Sequence, residues 1–512
     1  MSGPPVWLDP EEVAAAVARL AVEANTRIGP DVLDAFRAAL QREESPAGRE
    51  VLAQLLENAA LADASGVPYC QDTGMVVVFA RLGGRVLLTA GTLQAAVDGG
   101  VRRAYTEHLL RKSVIGDPLR RRNTGDNTPA VLHLEHVAGD EADRLTLDVM
   151  PKGFGGENMS VLRMLPPSAG WEGVERCVVE TVAAAGPNAC PPLVVGVGVG
   201  SDFEGAPLLA KRALLRPVGA PHPDAAVAAY EARLRAAVDA TGIGPQGLGG
   251  STTAVAVHLE LGATHIAALP VAVNLGCNAY RHRSAVLRGH PDPTRAAAAA
   301  AALPRTPPVV AGAGPVAPHS PGDPAATPAL AVDLPISEAQ ARAMRPGQAV
   351  RLSGPIYGMR DAAHARLHAL LREGREAELP IDLRGAAVYY VGPAPPPPGQ
   401  AVGAAGPTTS ERMDAYTPAL IERGLRLMVG KGRRSPEVKA AMRRHGAVYL
   451  VATGGAAALL GRHVLRSEVI AYPDLGTEAI HLMTLRDFPC RVVVDARGAD
   501  LYETGPRAYA RA

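Results

Sequence analysis

Between Thr294 and Leu334 the chain reads TRAAAAAAALPRTPPVVAGAGPVAPHSPGDPAATPALAVDL. Alanine, proline and glycine dominate, large apolar side chains are too sparse to form a core, and the prolines stop any helix the alanines begin. No other stretch constrains the fold as much. It predicts a linker over 294–334 between an N-terminal domain, 1–293, and a smaller C-terminal domain, 335–512. Each side of it must bury its own apolar surface.

Helix and strand patterns intermingle on both sides, which predicts a mixed α/β (α+β) class with two domains. Helical periodicity covers 10–24, 49–64 and WEGVERCVVETVAAAG, while 75–82, 144–150 and LVVGVGVG read as strands. Beyond the linker the expected order begins with strand AVRLSG, helix RDAAHARLHALLREG and strand AAVYYVG. It continues through a Pro-rich turn and a helix to strand RLMVGKG, helix SPEVKAAMRRHG and strand AVYLVAT. Ser435-Pro436 is a strong helix start, a capping hydroxyl followed by proline in the first turn.

Electrostatics exclude whole classes of partner. A formal net charge of +1 over 512 residues offers no basic surface for nucleic acid or anionic membrane. No apolar run approaches the about 18 residues a membrane span needs, and the N-terminus lacks a basic secretory n-region. The expected location is therefore the cytoplasm. Five cysteines, an odd number in a large chain, argue against a disulfide framework.

Three of those cysteines keep unusual company. Cys70 lies in PYCQDTG, Cys190 in GPNACPPLVVGVGVG, and Cys277 in LPVAVNLGCNAYRHRSA, where an apolar run turns polar. They are too widely separated for a zinc finger or a ferredoxin motif, so spacing alone leaves two readings open: unrelated thiols, or one shared metal group. Three thiolates on a [4Fe-4S] cube would leave one iron free to act as a Lewis acid. Cys177 falls on the apolar face of a helical pattern and Cys490 enters an apolar strand, so both are expected to be core thiols.

Polar groups that suit a dicarboxylate recur in glycine-rich turns. Arg111 precedes a polar loop, PKGFGGENMS and GLGGSTTA offer backbone amides to an anion, Arg360 opens a helix, and Thr408, Thr409 and Arg412 sit at the expected start of the next. Lys431 stands alone between glycines. Arginine forks pair with carboxylates through two parallel hydrogen bonds. A dinucleotide fingerprint is rejected in GVGVGSDFEGA, because Ser201 stands where the third glycine belongs; its glycines read as close packing.

PYCQDTG, LRKSVIGDPLRRRNTGDNTPA, PKGFGGEN, ACPPLVVGVGVG, GLGGSTTA, LPVAVNLGC, GMRDAAH, GPTTSERMD and VGKG together resemble the class I, iron–sulfur-dependent fumarate hydratases and the related tartrate dehydratases. The likeness covers nearly the whole chain outside the linker, with α-type and β-type parts fused and a C-terminal domain of swivelling type. It implies a [4Fe-4S] cluster on Cys70, Cys190 and Cys277. It implies carboxylate binding by Gln71, Arg111, Gly155, Arg360, Arg412 and Lys431. Asp72 matches the proposed general acid, Thr408 the proposed base, and His265 a site histidine. Arg412, Lys431 and a helix start would lower the pKa of a Thr408 hydroxyl, otherwise a poor base.

The activity so implied is reversible hydration of fumarate, a small C4 dicarboxylate, to (S)-malate in a homodimer, with L-tartrate dehydration or mesaconate hydration as alternatives. An iron–sulfur electron carrier or redox sensor is the reading from a different class. Phe154, Gly156 and the NAYRHR run after Cys277 depart from the common family pattern. These differences bear on substrate preference rather than on cluster binding.

Overall fold

A computed structural model describes residues 3–303 and 329–511. Helix Pro10–Thr26 starts on a capping box, with Asp9 accepting from the first-turn backbone and Glu12 reaching back to Asp9. With helix Leu93–Glu107 it covers a four-stranded sheet ordered Arg283–Arg288, Arg144–Lys152, Met75–Gly83, Val131–Val137. A second sheet runs Val161–Leu165, Leu269–Gly276, Leu193–Ser201, Ala254–Thr264, and helices Gly170–Ala185 and Ala225–Ala240 supply its apolar cover. Cys177 is buried in that cover, as expected of a core thiol.

The GVGVG glycines do pack closely, against a helix. A Cβ on Gly196 would lie 2.1 Å from the Ala210 carbonyl oxygen, and one on Gly198 2.2 Å from that of Ala206. Helix Gly205–Ala213 can approach strand Leu193–Ser201 only because both side chains are missing.

Beyond residue 329, seven strands form one sheet. Ala349–Gly358, Ala387–Tyr389, Leu427–Gly430 and Val448–Val451 pair in parallel, in that order. The long strand Ile480–Val494 runs antiparallel to both the first and the last of them, which closes five strands into a ring. Cys490 is buried in that strand among core residues.

Each side of the chain has its own apolar core, but a further buried cluster draws on both, including Phe36, Leu52 and Leu248 with Tyr390, Tyr449 and Val451. Both described ends of the stretch expected as linker, 294–334, carry regular structure. Pro293–Ala301 is a helix, capped by Asp292 with proline in its first turn, so the alanine run keeps its intrinsic preference. Leu330–Asp333 is a strand pairing in parallel with Ala349–Gly358. The rest of the expected linker, 304–328, lies outside the described residues.

Candidate active site

The carboxyl ends of the parallel strands in the ring bring polar groups to one place. Arg360 follows Ala349–Gly358 and caps helix Asp361–Arg372, Lys431 follows Leu427–Gly430, and Gly454 and Gly455 follow Val448–Val451. Opposite them lie turns from the other side of the chain. Cys70 and Asp72 precede Met75–Gly83, Cys190 precedes Leu193–Ser201, Cys277 follows Leu269–Gly276, and Gly153 and Phe154 follow Arg144–Lys152. Between the two sets is a cavity of about 250 Å³.

Cys70, Cys190, Cys277, Gln71, Asp72, Arg111, Gly155, Arg360, Thr408, Arg412 and Lys431 all line it. Hydrogen bonds stitch its two walls together. Lys431 Nζ lies 2.7 Å from Cys190 Sγ, Gln71 Nε2 donates to the Pro407 carbonyl at 3.2 Å, Arg111 Nη1 to Gly392 at 3.1 Å, and Asn278 Nδ2 to Gly454 at 2.9 Å. A side chain at Gly454 would place Cβ 2.8 Å from Cys190 Sγ, so glycine there leaves the thiol its room. Cys190 itself has φ +55, a left-handed conformation costly for a non-glycine residue and retained where surroundings hold it.

The charges oppose one another. Burial pushes the thiols of Cys70, Cys190 and Cys277 up. Burial also works to lower the Lys431 ammonium, but the three neighbouring sulfurs more than offset it and raise the group overall. Such a trio gives up its protons when a metal takes the sulfurs. Asp72 resolves a similar contest downward: burial favours the neutral acid, yet Arg111, Arg281 and the Phe154 amide hold the carboxyl below its usual value. Arg111 Nη2 is 3.3 Å from Asp72 Oδ1, and the Phe154 N–H donates to Oδ2 at 2.9 Å.

Three expectations meet a different arrangement in the structure. His265 is exposed in the turn between Ala254–Thr264 and Leu269–Gly276, accepts the Ala267 N–H at 3.2 Å, and is not among the cavity residues. It lies at the opposite end of strand Leu269–Gly276 from Cys277, roughly 25 Å away at the rise of an extended strand. The turn within GLGGSTTA does present amides to an anion, but the anion is internal: Ser251 and Thr252 N–H groups donate to Glu43, each at 2.9 Å. The helix expected after Thr409 is a single 3-10 turn, Ser410–Met413. Lys431 is turned to Cys190 and Arg412 to Asp361, so neither cation is committed to Thr408.

Arg281 is the lining residue whose importance the sequence hides. It is buried, its guanidinium lies 5.5 Å over the Tyr69 ring, and it donates to the carbonyls of Pro151 at 3.1 Å, Ala279 at 3.2 Å and Asp72. Those carbonyls lie at the end of the strand leading to Gly155 and in the segments that carry Cys277 and Cys70. Asn188 also lines the cavity and donates to Glu411 at 2.9 Å. Proximity in sequence to Cys277 and Cys190 was the available signal for both.

Fold and cavity together bring three thiols, several cations and the Asp72 carboxylate to one place. Residues 14–286 match the family model described as Fumarate hydratase (Fumerase), and residues 316–505 match that described as Fumarase C-terminus. The anaerobic class I fumarate hydratase of Escherichia coli K12 is 32% identical over 90% of this chain and 84% of its own length. The aerobic class I fumarate hydratase of Salmonella typhimurium is 32% identical over 88% of this chain and 78% of its own. A putative L(+)-tartrate dehydratase subunit alpha of Methanocaldococcus jannaschii is 38% identical over 53% of this chain and 95% of its own. The chain belongs to the class I fumarate hydratase and tartrate dehydratase family and is a hydro-lyase.

Proposed function

We propose that this enzyme reversibly hydrates fumarate to (S)-malate, with Cys70, Cys190 and Cys277 holding a [4Fe-4S] cluster. One observation carries the reading: three thiols from three separate turns line the same cavity as Arg111, Arg360 and Lys431. Among the described residues no three His, Cys, Asp or Glu side chains close on a single metal ion. Three thiols on three separate turns suit a group whose separate irons each take one thiolate. When bound, that cluster would supply a Lewis-acidic iron able to polarise a hydroxyl.

The rest of the chemistry belongs to the chain. Arg111, Arg360, Arg412 and Lys431, with Gln71 and the Gly155 turn, hold the two carboxylates and stabilise charge that builds beside them. Asp72, kept ionised by Arg111 and Arg281, accepts a proton from water in the hydration direction and returns it to the leaving hydroxyl in the reverse one. Thr408 handles the proton on the neighbouring carbon. His265 cannot serve the cavity of its own chain. A role for it requires the exposed turn to enter a second copy, which fits the homodimer we propose. No described helix is long and apolar enough to cross a membrane, and we place the enzyme in the cytoplasm.

Anaerobic reconstitution with iron and sulfide, followed by assays with fumarate, mesaconate and L-tartrate, tests this reading. Fumarate should turn over fastest in cluster-replete enzyme. Faster turnover of either other diacid would reassign the substrate, and a colourless preparation would remove the cluster.

A further inference from the structure

Two of the cations assigned to the substrate are paired with carboxylates to which the proposed chemistry gives no role. Arg360, buried at the cavity wall, places Nη2 2.9 Å from Glu478 Oε1, while its Nε has no hydrogen-bond partner among the described residues. Arg412 Nη2 donates to both oxygens of Asp361, at 2.7 and 2.9 Å, and lies 4.0 Å from Glu478 Oε1. Two guanidinium groups and two carboxylates thus alternate at the rim with no net charge.

The two carboxylates are not equivalent. Asp361 is the first residue of helix Asp361–Arg372 and is fixed by that helix. Glu478 ends the short turn Pro473–Glu478, between strands Val464–Ala471 and Ile480–Val494. That turn is held from outside the cavity, by an ion pair of Arg366 with Asp474 at 2.5 Å and by the Arg366 guanidinium 5.0 Å over the Tyr472 ring. Glu478 can leave Arg360 without unravelling a helix.

We propose that Glu478 is a specificity-determining residue: its carboxylate occupies the Arg360 guanidinium in place of one substrate carboxylate and gives way when a dicarboxylate binds. The inference rests on the dicarboxylate reading above. Exchanging one carboxylate for another at Arg360 yields little net attraction. A monocarboxylate therefore gains almost nothing there. A diacid anchored by its other end at Arg111 and Lys431 makes the exchange within a bound complex, where the effective concentration of its second carboxylate is high. The rim thereby selects ligands carrying two carboxylates.

The test uses reconstituted enzyme with fumarate as substrate and crotonate, a C4 monocarboxylate, as inhibitor. In Glu478→Gln the KM for fumarate should fall about fivefold, the equivalent of about 1 kcal/mol, and crotonate should inhibit at lower concentration than in the wild type. An unchanged or raised KM would overturn the proposal, since Glu478 would then merely position Arg360. Glu478→Asp, which keeps the charge but shortens the reach, should have a KM at or below that of the wild type, and a higher one counts equally against the idea. If the wild type turns over none of fumarate, mesaconate and L-tartrate, the dicarboxylate reading itself fails, an outcome distinct from either variant result.

Discussion

Lys431 Nζ lies 2.7 Å from Cys190 Sγ although 241 residues separate the two in sequence. The ammonium faces a sulfur that burial alone would keep protonated, so it favours the thiolate that a metal requires. Lys431→Met should lower kcat/KM by about 100-fold or more, the scale of losing one preorganised charge partner in an active site. Steady-state kinetics on anaerobically reconstituted protein would measure this, with iron content determined in parallel.

The five thiols divide by place. Cys190→Ser should abolish both bound iron and activity, because it removes one of the three proposed ligands. Cys177→Ser changes only a core position and should cost about 1–3 kcal/mol of stability for the buried hydroxyl, with iron content retained. Iron and sulfide analysis of the two variants separates them. Equal loss of iron would show that the distinction between lining and core thiols does not hold.

Thr408 sits buried in the cavity wall, its backbone N–H donating to the Tyr390 carbonyl at 2.7 Å. Thr408→Ala should leave the visible spectrum of the cluster intact and reduce turnover by roughly 10²–10⁴-fold, as expected for loss of a positioned proton-transfer group. Thr408→Ser should recover much of that rate. Near-normal turnover in the alanine variant would move proton transfer to another group.

Arg281 bonds three separate segments through one guanidinium, a geometry that a single ammonium cannot span. Arg281→Ala should destabilise the protein by about 3 kcal/mol or more by leaving buried carbonyls without donors, and Arg281→Lys should restore less than half of the loss. Denaturant titration of both variants checks the order.

His364 and His258 predict the acid limb of stability. His364 is fully buried, donates through Nδ1 to the Arg360 carbonyl at 2.7 Å, and leaves Nε2 without a hydrogen-bond partner among the described residues. Burial lowers the pKa of each imidazole to about 4. In the unfolded chain both take up a proton near pH 6.5. Their neutral forms therefore favour folding above that pH, and the advantage is lost as pH falls from about 6.5 toward 4, by up to roughly 3 kcal/mol for His364. Thermal melts between pH 7.5 and 4.5 should show this decline, with a shallower slope in His364→Gln.

The legible parts of the site were those written into local sequence. Cys70, Cys190 and Cys277 each stand at a junction between a polar or glycine-rich turn and an apolar run, and such junctions are where strands end and cavities form. Arg360 is legible for a related reason, as the residue before a strong helical pattern. Arg281 was not legible, because an arginine that bonds three carbonyls looks in sequence like one facing water. His265 was named from the resemblance of its segment alone, and its distance from this cavity depends on where the turn sits in three dimensions. Strand Ile480–Val494 was only partly visible: Arg486, Asp487 and Pro489 interrupt its apolar pattern where the pairing with Ala349–Gly358 shifts register. Glu478 carries no motif at all, and only the closing of the sheet brings its turn to Arg360.

The sulfurs all come from residues before 303 and the lysine that meets them from residues after 329, with each group on its own set of sheets. A chain severed between these segments would leave Cys70, Cys190, Cys277, Gln71 and Arg111 on one fragment and Arg360, Arg412 and Lys431 on the other, so that neither fragment carries the whole cavity lining. Mixing the two fragments should restore what neither does alone, and the shared apolar cluster joining Phe36 and Leu52 to Tyr449 and Val451 would supply the adhesion.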